Sequence, residues 1–147
     1  MDMALALAAE GGELGEVPVG ALVVDGAGRI VGQGRNAPVS SSDPTAHAEI
    51  LALREAGRTV GNYRLGGCVC VVTLEPCPMC AAALVHARVD GLVYGAADAR
   101  AGAVISRTEC LDGSFASHRV WHMGGIRSLE CLELLQRFFR ERRAGAP

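Results

Sequence analysis

Two short stretches of the sequence carry side chains that can bind a metal ion and move protons. One stretch has His47 and Glu49 two positions apart, and the other has Cys77 and Cys80 in a Pro-Cys-x-x-Cys pattern. Imidazole nitrogen and thiolate sulfur are preferred ligands of Zn²⁺, and three protein ligands leave the fourth tetrahedral position open to water, as in catalytic zinc sites. We therefore expect His47, Cys77 and Cys80 to bind one Zn²⁺ ion per chain.

Glu49 is the residue that we expect to move protons beside this ion. Zinc lowers the pKa of its bound water, but two thiolates donate charge to the metal and weaken this effect, so a nearby base is needed. A carboxylate can accept the water proton and deliver it to a ring nitrogen while the oxygen attacks an amidine carbon. The same group can later help to protonate departing ammonia.

The same residues admit other interpretations. A lone Cys-x-x-Cys also occurs in redox sites and in structural zinc sites, and a structural site needs a fourth ligand. The further cysteines are Cys68, Cys70, Cys110 and Cys131. The first two share one face of a predicted strand and are expected to pack as small apolar residues. His86, His118 and His122 have no comparable context and are expected at packing or surface positions. The joint occurrence of both motifs favours the catalytic site.

Length and composition exclude several classes of protein. The chain has 147 residues, half of them apolar, which suits a single domain over 1–147 with a sizeable core. A net charge of −2, with 14 arginines and no lysine, argues against non-specific coating of nucleic acid but allows a local basic patch. The sequence shows no signal peptide and no apolar run of membrane-spanning length, which predicts a cytoplasmic protein with thiol or metal-ligating cysteines.

Hydrophobic periodicity predicts strands that alternate with helices. The predicted elements are a helix over 2–14, a strand over 17–24, a turn over 25–28, a strand over 29–34, a loop over 36–43, a helix from Asp43–Pro44 to Gly57, a strand over 68–73, a helix over 77–87, a strand over 91–95, a long loop over 96–119, a strand over 120–123 and a helix capped by Ser128. The pattern indicates an α/β sandwich whose first two strands form an antiparallel hairpin.

The terminal helices have predicted apolar faces. Those faces are Met3, Leu7 and Leu14 in the first helix, and Leu132, Leu135 and Phe139 in the last.

Both motifs fall at predicted helix N-termini, and the second directly follows a buried strand. Ligands of open α/β sheets bind at this position, and the N-terminal field of a helix favours thiolates. Cys77 and Cys80 are three residues apart, so their sulfurs face the same way on a helical turn. His47 and Glu49 would lie on nearly opposite sides of a regular helix. Both can serve one metal only if the ion lies at the end of that helix.

With these residues in place, the sequence resembles the bacterial tRNA-specific adenosine deaminases of the cytidine-deaminase-like superfamily over nearly its whole length. The zinc motif indicates the superfamily, whereas residues 43–50 (Asp-Pro-Thr-Ala-His-Ala-Glu-Ile) and 62–65 (Asn-Tyr-Arg-Leu) indicate the family. The resemblance implies a three-layer α/β/α sandwich with a mixed sheet of about five strands. It also implies a homodimer that converts the wobble adenosine of a tRNA anticodon to inosine.

The resemblance assigns roles to individual residues. It makes His47, Cys77 and Cys80 zinc ligands and Glu49 the proton shuttle. It places Asn36 and Ala48 in the substrate pocket, with Asn36 hydrogen-bonded to the flipped base. It places Asp98 near the nucleotide beside or at the target, and Arg142 and Arg143 near anticodon-stem phosphates. A helix that ends in arginines suits phosphate contacts, although the helix dipole alone also favours this arrangement.

The sequence departs from the family between residues 98 and 123. Val104-Ile105-Ser106 follows Ala103 where the family usually has Gly-Ser, and Ser117 stands where Asn is common. Since this segment is expected to contact substrate, a deaminase of free guanine, cytosine or another small amino-heterocycle stays open as an alternative. A structural zinc domain that binds RNA without turnover is the non-enzymatic alternative, and the intact Glu49 argues against it.

Overall fold

A mixed sheet of five strands forms the centre of the structure, a computed structural model that describes residues 1–114 and 116–144. The strands are β1 (Gly20–Val24), β2 (Ile30–Arg35), β3 (Val69–Leu74), β4 (Gly91–Ala96) and β5 (Trp121–Met123). Their order is β2-β1-β3-β4-β5, with β1 antiparallel to both neighbours and β3, β4 and β5 parallel. The mixed five-stranded sheet and the first hairpin are confirmed.

Helices cover both faces of this sheet. They are α1 (Asp2–Glu13), α2 (Pro38–Ser41), α3 (Ala48–Val60), α4 (Pro78–Ala87) and α5 (Ser128–Ala144). Helices α1 and α5 contact each other and the sheet, while α3 packs on β1 and β2 and contacts α4. The layers are therefore α/β/α, with a core of small and medium aliphatic side chains. No helix in the described ranges is long and apolar enough to cross a membrane.

Glycines in β1 and β2 let two helices lie directly on the sheet. A Cβ at Gly20 would lie 2.7 Å from the backbone nitrogen of Ala8 in α1, and one at Gly34 would lie 2.8 Å from that of Ala52 in α3. Because the backbones are so close, α1 buries Ala4, Ala8 and Gly11. The predicted face was wrong for Met3 and Leu14, which are 53% and 63% exposed, whereas Leu7 is half-buried beside Gly20.

Helix α5 is also rotated relative to the prediction. It buries Cys131, Leu135 and Phe138, whereas Leu132 and Phe139 are 42% and 40% exposed. The cause is the close approach of the Cys131 side chain to Gly95 of β4, which only a small residue permits. The predicted apolar face was right for Leu135 and wrong for the other two residues.

The boundaries of α3 differ from the prediction at both ends. The N-cap is His47 rather than Asp43, because the Asp43 carboxylate accepts the N–H and hydroxyl of Thr45 (2.8 and 2.7 Å) and forms a separate turn. The helix also continues past Gly57 and ends at Gly61, whose φ of 71° is the left-handed conformation typical of a helix C-terminus.

Two smaller differences concern neighbouring segments. The predicted loop over 36–43 contains the short helix α2, and α5 begins at Ser128 itself rather than after it. Between β4 and β5 the described residues form turns without a helix or strand, as predicted for the long loop.

The carboxyl ends of β2, β3 and β4 lie at one edge of the sheet. Asn36 follows β2, Glu75 follows β3, and the loop that begins at Ala97 follows β4. Helices α3 and α4 start from the same edge. This edge therefore gathers every residue that the sequence predicts for the site, apart from those on α5.

Candidate metal centre

The three predicted metal ligands meet at the sheet edge. His47 Nδ1 lies 3.7 Å from Cys77 Sγ and 3.5 Å from Cys80 Sγ, and all three ligand atoms are within 4.8 Å of one another. Tetrahedral Zn²⁺ with ordinary bond lengths places nitrogen and sulfur ligands about 3.6 Å apart. The spacing and the choice of Nδ1 therefore fit a single zinc ion.

The backbone explains how His47 and Glu49 serve one site despite being two residues apart. His47 is the N-cap of α3, with extended backbone angles (φ −74°, ψ 153°), so its side chain leaves the helical spiral while its carbonyl accepts the Leu51 N–H (3.0 Å). Glu49 lies within the first turn. Cys77 is likewise the N-cap of α4. The candidate ligands thus meet at the N-termini of both helices, the position that the spacing of His47 and Glu49 requires.

The thiols of Cys77 and Cys80 have opposite pKa shifts, and a divalent cation would allow both to be deprotonated. A hydrogen bond from the Cys80 thiol, together with the neighbouring His47, outweighs burial and lowers the pKa of Cys77 to about 4. The same hydrogen bond, followed by burial, raises the pKa of Cys80. One thiolate therefore forms readily, whereas the second needs a positive charge beside it. A bound Zn²⁺ supplies that charge.

Glu49 is buried against this cluster, with 4% of its surface exposed. Its carboxyl is in hydrogen-bonding contact with the Cys80 thiol. Burial is the largest influence on the pKa of Glu49 and raises it, so the group holds a proton more readily than an exposed glutamate. A carboxyl with these properties can accept and return a proton beside the metal.

Asn36 and Ala48 form one unit at the start of α3. The Asn36 Oδ1 accepts the Ala48 N–H (2.9 Å), and both residues are buried. The Ala48 N–H is thereby used within the protein. The bond also fixes the Asn36 amide, so its Nδ2 is the end that can donate to a ligand.

A cleft of about 770 Å³ separates the loop after β4 from helix α5. Its lining includes Asp98, Arg100, Leu132, Phe139, Arg140 and Arg143. Arg142 lies outside this lining. Its guanidinium donates to the Gly15 carbonyl and stacks over the Phe138 ring, 4.8 Å from the centroid. Of the two arginines predicted to contact phosphates, Arg143 therefore lines the cleft, whereas Arg142 contacts other residues of the protein.

The remaining histidines and cysteines do not join the centre. His118 Nε2 lies 2.9 Å from the Val89 carbonyl oxygen, and His122 Nε2 lies 3.2 Å from Asp112 Oδ2. Within 1–114 and 116–144, the metal-ligating cluster comprises three residues. Catalytic zinc sites have three protein ligands and an open fourth position, whereas structural zinc sites have four protein ligands.

Sequence reasoning missed two buried carboxylates that organise the surrounding loops. Glu16 accepts the N–H groups of Val39 and Ser40 (3.3 and 2.7 Å) at the start of α2. Glu75 accepts N–H groups from the loop after β4. The available signal was an acid directly beside an apolar strand, because a charged side chain is rarely buried without partners.

The unusual segment at 104–106 is held through its backbone. The N–H groups of Val104, Ile105 and Ser106 all point to one oxygen of Glu75, at 3.1, 2.9 and 2.9 Å. Every residue except proline offers this group. The main-chain part of this anchoring therefore does not depend on the side chains at 104 and 105, and Ser106 adds a hydrogen bond from its hydroxyl.

Comparisons with known proteins agree with this geometry. Residues 1–96 match the cytidine and deoxycytidylate deaminase zinc-binding region. A protein named tRNA-specific adenosine deaminase from Haemophilus influenzae is 46% identical over 143 residues, which is 97% of this chain and 83% of the relative. A solved structure from studies of A-to-I editing by tRNA:A34 deaminases has a TM-score of 0.89 and 41% identity, covering 92% of this chain and 97% of that one.

A second solved structure, guanine deaminase from Bacillus subtilis, is similar over a smaller part of the chain. It has a TM-score of 0.62 and 41% identity, and the match covers 65% of this chain and 61% of that one.

Proposed function

The chain belongs to the tRNA-specific adenosine deaminases, within the zinc-binding cytidine and deoxycytidylate deaminases, and we propose that it hydrolyses the wobble adenosine of a tRNA anticodon to inosine. The observation that carries the chemistry is the Glu49 carboxyl buried against His47, Cys77 and Cys80. In this proposal the three residues are the zinc ligands and Glu49 is the catalytic acid and base.

Glu49 moves the protons of the reaction. When bound, Zn²⁺ supplies Lewis acidity that lowers the pKa of a water molecule at the site. One carboxylate oxygen of Glu49 accepts a proton from this water as the water oxygen attacks C6 of adenine, and passes it to ring N1. The carboxylate then transfers the second proton from the new C6 hydroxyl to the amino group. Ammonia leaves, and the C6 carbonyl of inosine remains.

Asn36 and Asp98 position the nucleotide in this proposal. The Asn36 amide is held by the Ala48 N–H, so its Nδ2 can donate to an acceptor on the flipped base without rotating. The Ala48 backbone contributes by fixing that amide rather than by contacting the base. Asp98 lines the cleft at the same sheet edge, where the neighbouring nucleotide would lie. A preorganised amide of this kind favours one orientation of the base.

The cleft beside α5 suits the backbone of a folded RNA. Arg100, Arg140 and Arg143 line it together with the exposed Phe139. Guanidinium groups form bidentate contacts with phosphates, and an aromatic face can stack on a base. Arg143 is therefore the stronger candidate for an anticodon-stem contact, and the role proposed for Arg142 has to coexist with its bond to Gly15.

A substrate panel tests this function directly. The purified protein should convert adenosine to inosine in an anticodon stem-loop with adenosine at the wobble position, and release one ammonia per inosine. A matched stem-loop with guanosine at that position should not react. The reaction should weaken steeply with salt, because phosphate contacts release counterions. Nucleoside analysis by mass spectrometry gives the product.

Free guanine and cytosine form the other arm of the panel. Deamination of either base, without reaction of the stem-loop, would reject the tRNA substrate and establish the alternative of a free-base deaminase. The similarity to guanine deaminase is the observation that favours this alternative, and it extends over less of the chain than the similarity to the tRNA:A34 deaminase.

The proposal also covers the location, the domain organisation and the oligomeric state of the protein. We place the protein in the cytoplasm with its tRNA substrate, and we treat 1–147 as one deaminase domain, which a single continuous sheet supports. The homodimer implied by the resemblance stays a prediction, and sedimentation equilibrium tests it.

A further inference from the structure

Within residues 1–114 and 116–144, Glu75 is a buried acid without a basic partner, and backbone groups surround it. Only 2% of its surface is exposed. Its Oε1 accepts three consecutive N–H groups, and its Oε2 accepts the Asp98 N–H at 3.0 Å and the Ser106 hydroxyl. All of these donors come from one loop, which extends from β4 around the carboxylate.

The loop fits closely around Glu75. A Cβ on Gly102 would lie 2.5 Å from the carboxyl carbon of Glu75 and 2.6 Å from the Asp98 carbonyl oxygen. The loop is held a second time by the Ala103 N–H, which donates to the Pro76 carbonyl at 2.8 Å. Both ties are made to residues that directly precede Cys77.

The hydrogen bonds replace a counter-ion. Five hydrogen bonds from the loop reach the two carboxylate oxygens of Glu75. Convergent backbone N–H groups form an anion-binding concavity of this kind. Removal of the carboxylate would leave several N–H groups of the loop without their acceptor, so the loop would lose its fixed position.

We propose that Glu75 is a positioning residue that holds the 98–106 loop against the segment directly before Cys77 and so sets the affinity for the substrate. This loop carries Asp98 and Arg100 into the cleft, and Glu75 connects it to the segment that leads to the two cysteine ligands. The inference rests on the proposed function, because it assigns the cleft to substrate. Glu75 acts through Asp98 and Arg100 and does not touch the reacting atoms.

The test compares Glu75→Ala with Glu75→Gln and with Thr73→Val. Thr73 is a matched control because it is equally buried on β3 and its hydroxyl accepts the Gly20 N–H, at a position away from the loop. We expect Glu75→Ala to raise KM for the anticodon stem-loop by about tenfold or more and to change kcat by less than about threefold. Glu75→Gln keeps one acceptor oxygen and should show a smaller rise, and Thr73→Val should leave KM unchanged.

Hydrogen exchange provides a readout that needs no substrate. The amides of Val104, Ile105 and Ser106 should be protected in the unmodified protein and should exchange faster in Glu75→Ala, while bound zinc stays at one ion per chain. If the unmodified protein fails to deaminate RNA but these amides respond, the proposed function fails and the anchoring by Glu75 stands. Unchanged exchange in Glu75→Ala would overturn the anchoring role.

Two further variants decide the question if Glu75→Ala does not fold. Ser106→Ala removes only the hydroxyl donor, and Gly102→Ala pushes a methyl group against the carboxylate. Both should raise KM more than kcat falls, with zinc retained. A proportional loss of kcat, a loss of zinc, or an unchanged KM in both variants would overturn the proposal.

Discussion

Replacement of Glu49 by glutamine should reduce deamination by about 10³-fold or more, because the amide cannot accept the water proton or return it to the leaving group. The fold and the metal content should persist, since Glu49 is not one of the three ligand-bearing residues and glutamine has nearly the same shape. Steady-state inosine formation and elemental analysis are the two measurements. We expect one zinc per chain in both proteins.

Glu55→Gln is the matched control for this experiment. Glu55 lies on the same helix, and its carboxylate accepts the Gln33 N–H (2.8 Å) on the side of β2. Its replacement should leave turnover nearly unchanged. Near-normal turnover in Glu49→Gln would reject the proton-transfer role, and loss of zinc in that variant would show that Glu49 instead supports the metal.

Replacement of Gly34 by alanine should destabilise the protein by about 3 kcal/mol, the upper part of the range for overpacked sites. The new methyl group would lie 2.8 Å from the Ala52 nitrogen and would overlap the Ala48 carbonyl oxygen, both in the backbone of α3. Backbone in a packed helix cannot yield as a flexible side chain can. Helix α3, whose N-cap is His47 and whose first turn contains Glu49, must therefore shift, and activity should fall as well.

Urea unfolding measures the stability change as a lower midpoint at unchanged slope. Gly66→Ala is the control, because a Cβ at Gly66 meets no atom within 4 Å and the residue has no positive φ. It should leave the midpoint in place. An unaltered midpoint in Gly34→Ala would mean that α3 does not lie as close to β2 as described.

The sequence predicted the features that local patterns control. Apolar β-branched runs gave the strands, and the spacing of Cys77 and Cys80 gave the first turn of α4. The motif also required that the metal lie beyond the end of a helix, and the extended backbone of His47 satisfies this requirement. These features depend on residues close together in the chain.

The errors involve contacts between distant residues. Asp43–Pro44 has the chemistry of a helix start, but the same carboxylate caps a turn that delivers His47 to Cys77, thirty residues away. The buried faces of α1 and α5 depend on how closely each helix approaches a glycine of the sheet. The hydrophobic periodicity of a helix carries no information about this distance. Glu75 was missed because its partners lie on a loop 23 to 31 residues further on.

The backbone anchoring of the 104–106 segment has a consequence for how this enzyme can diverge. Since Glu75 binds Ile105 only through its main-chain N–H, the Ile105 side chain, which is 58% exposed, is free to vary without loss of the loop's shape. Selection can therefore explore new side chains on the loop that carries Asp98 and Arg100 into the cleft, while the catalytic centre stays intact. Libraries for altered substrate range are best focused on Ile105 and the exposed Arg107, with Glu75 and Gly102 left unchanged.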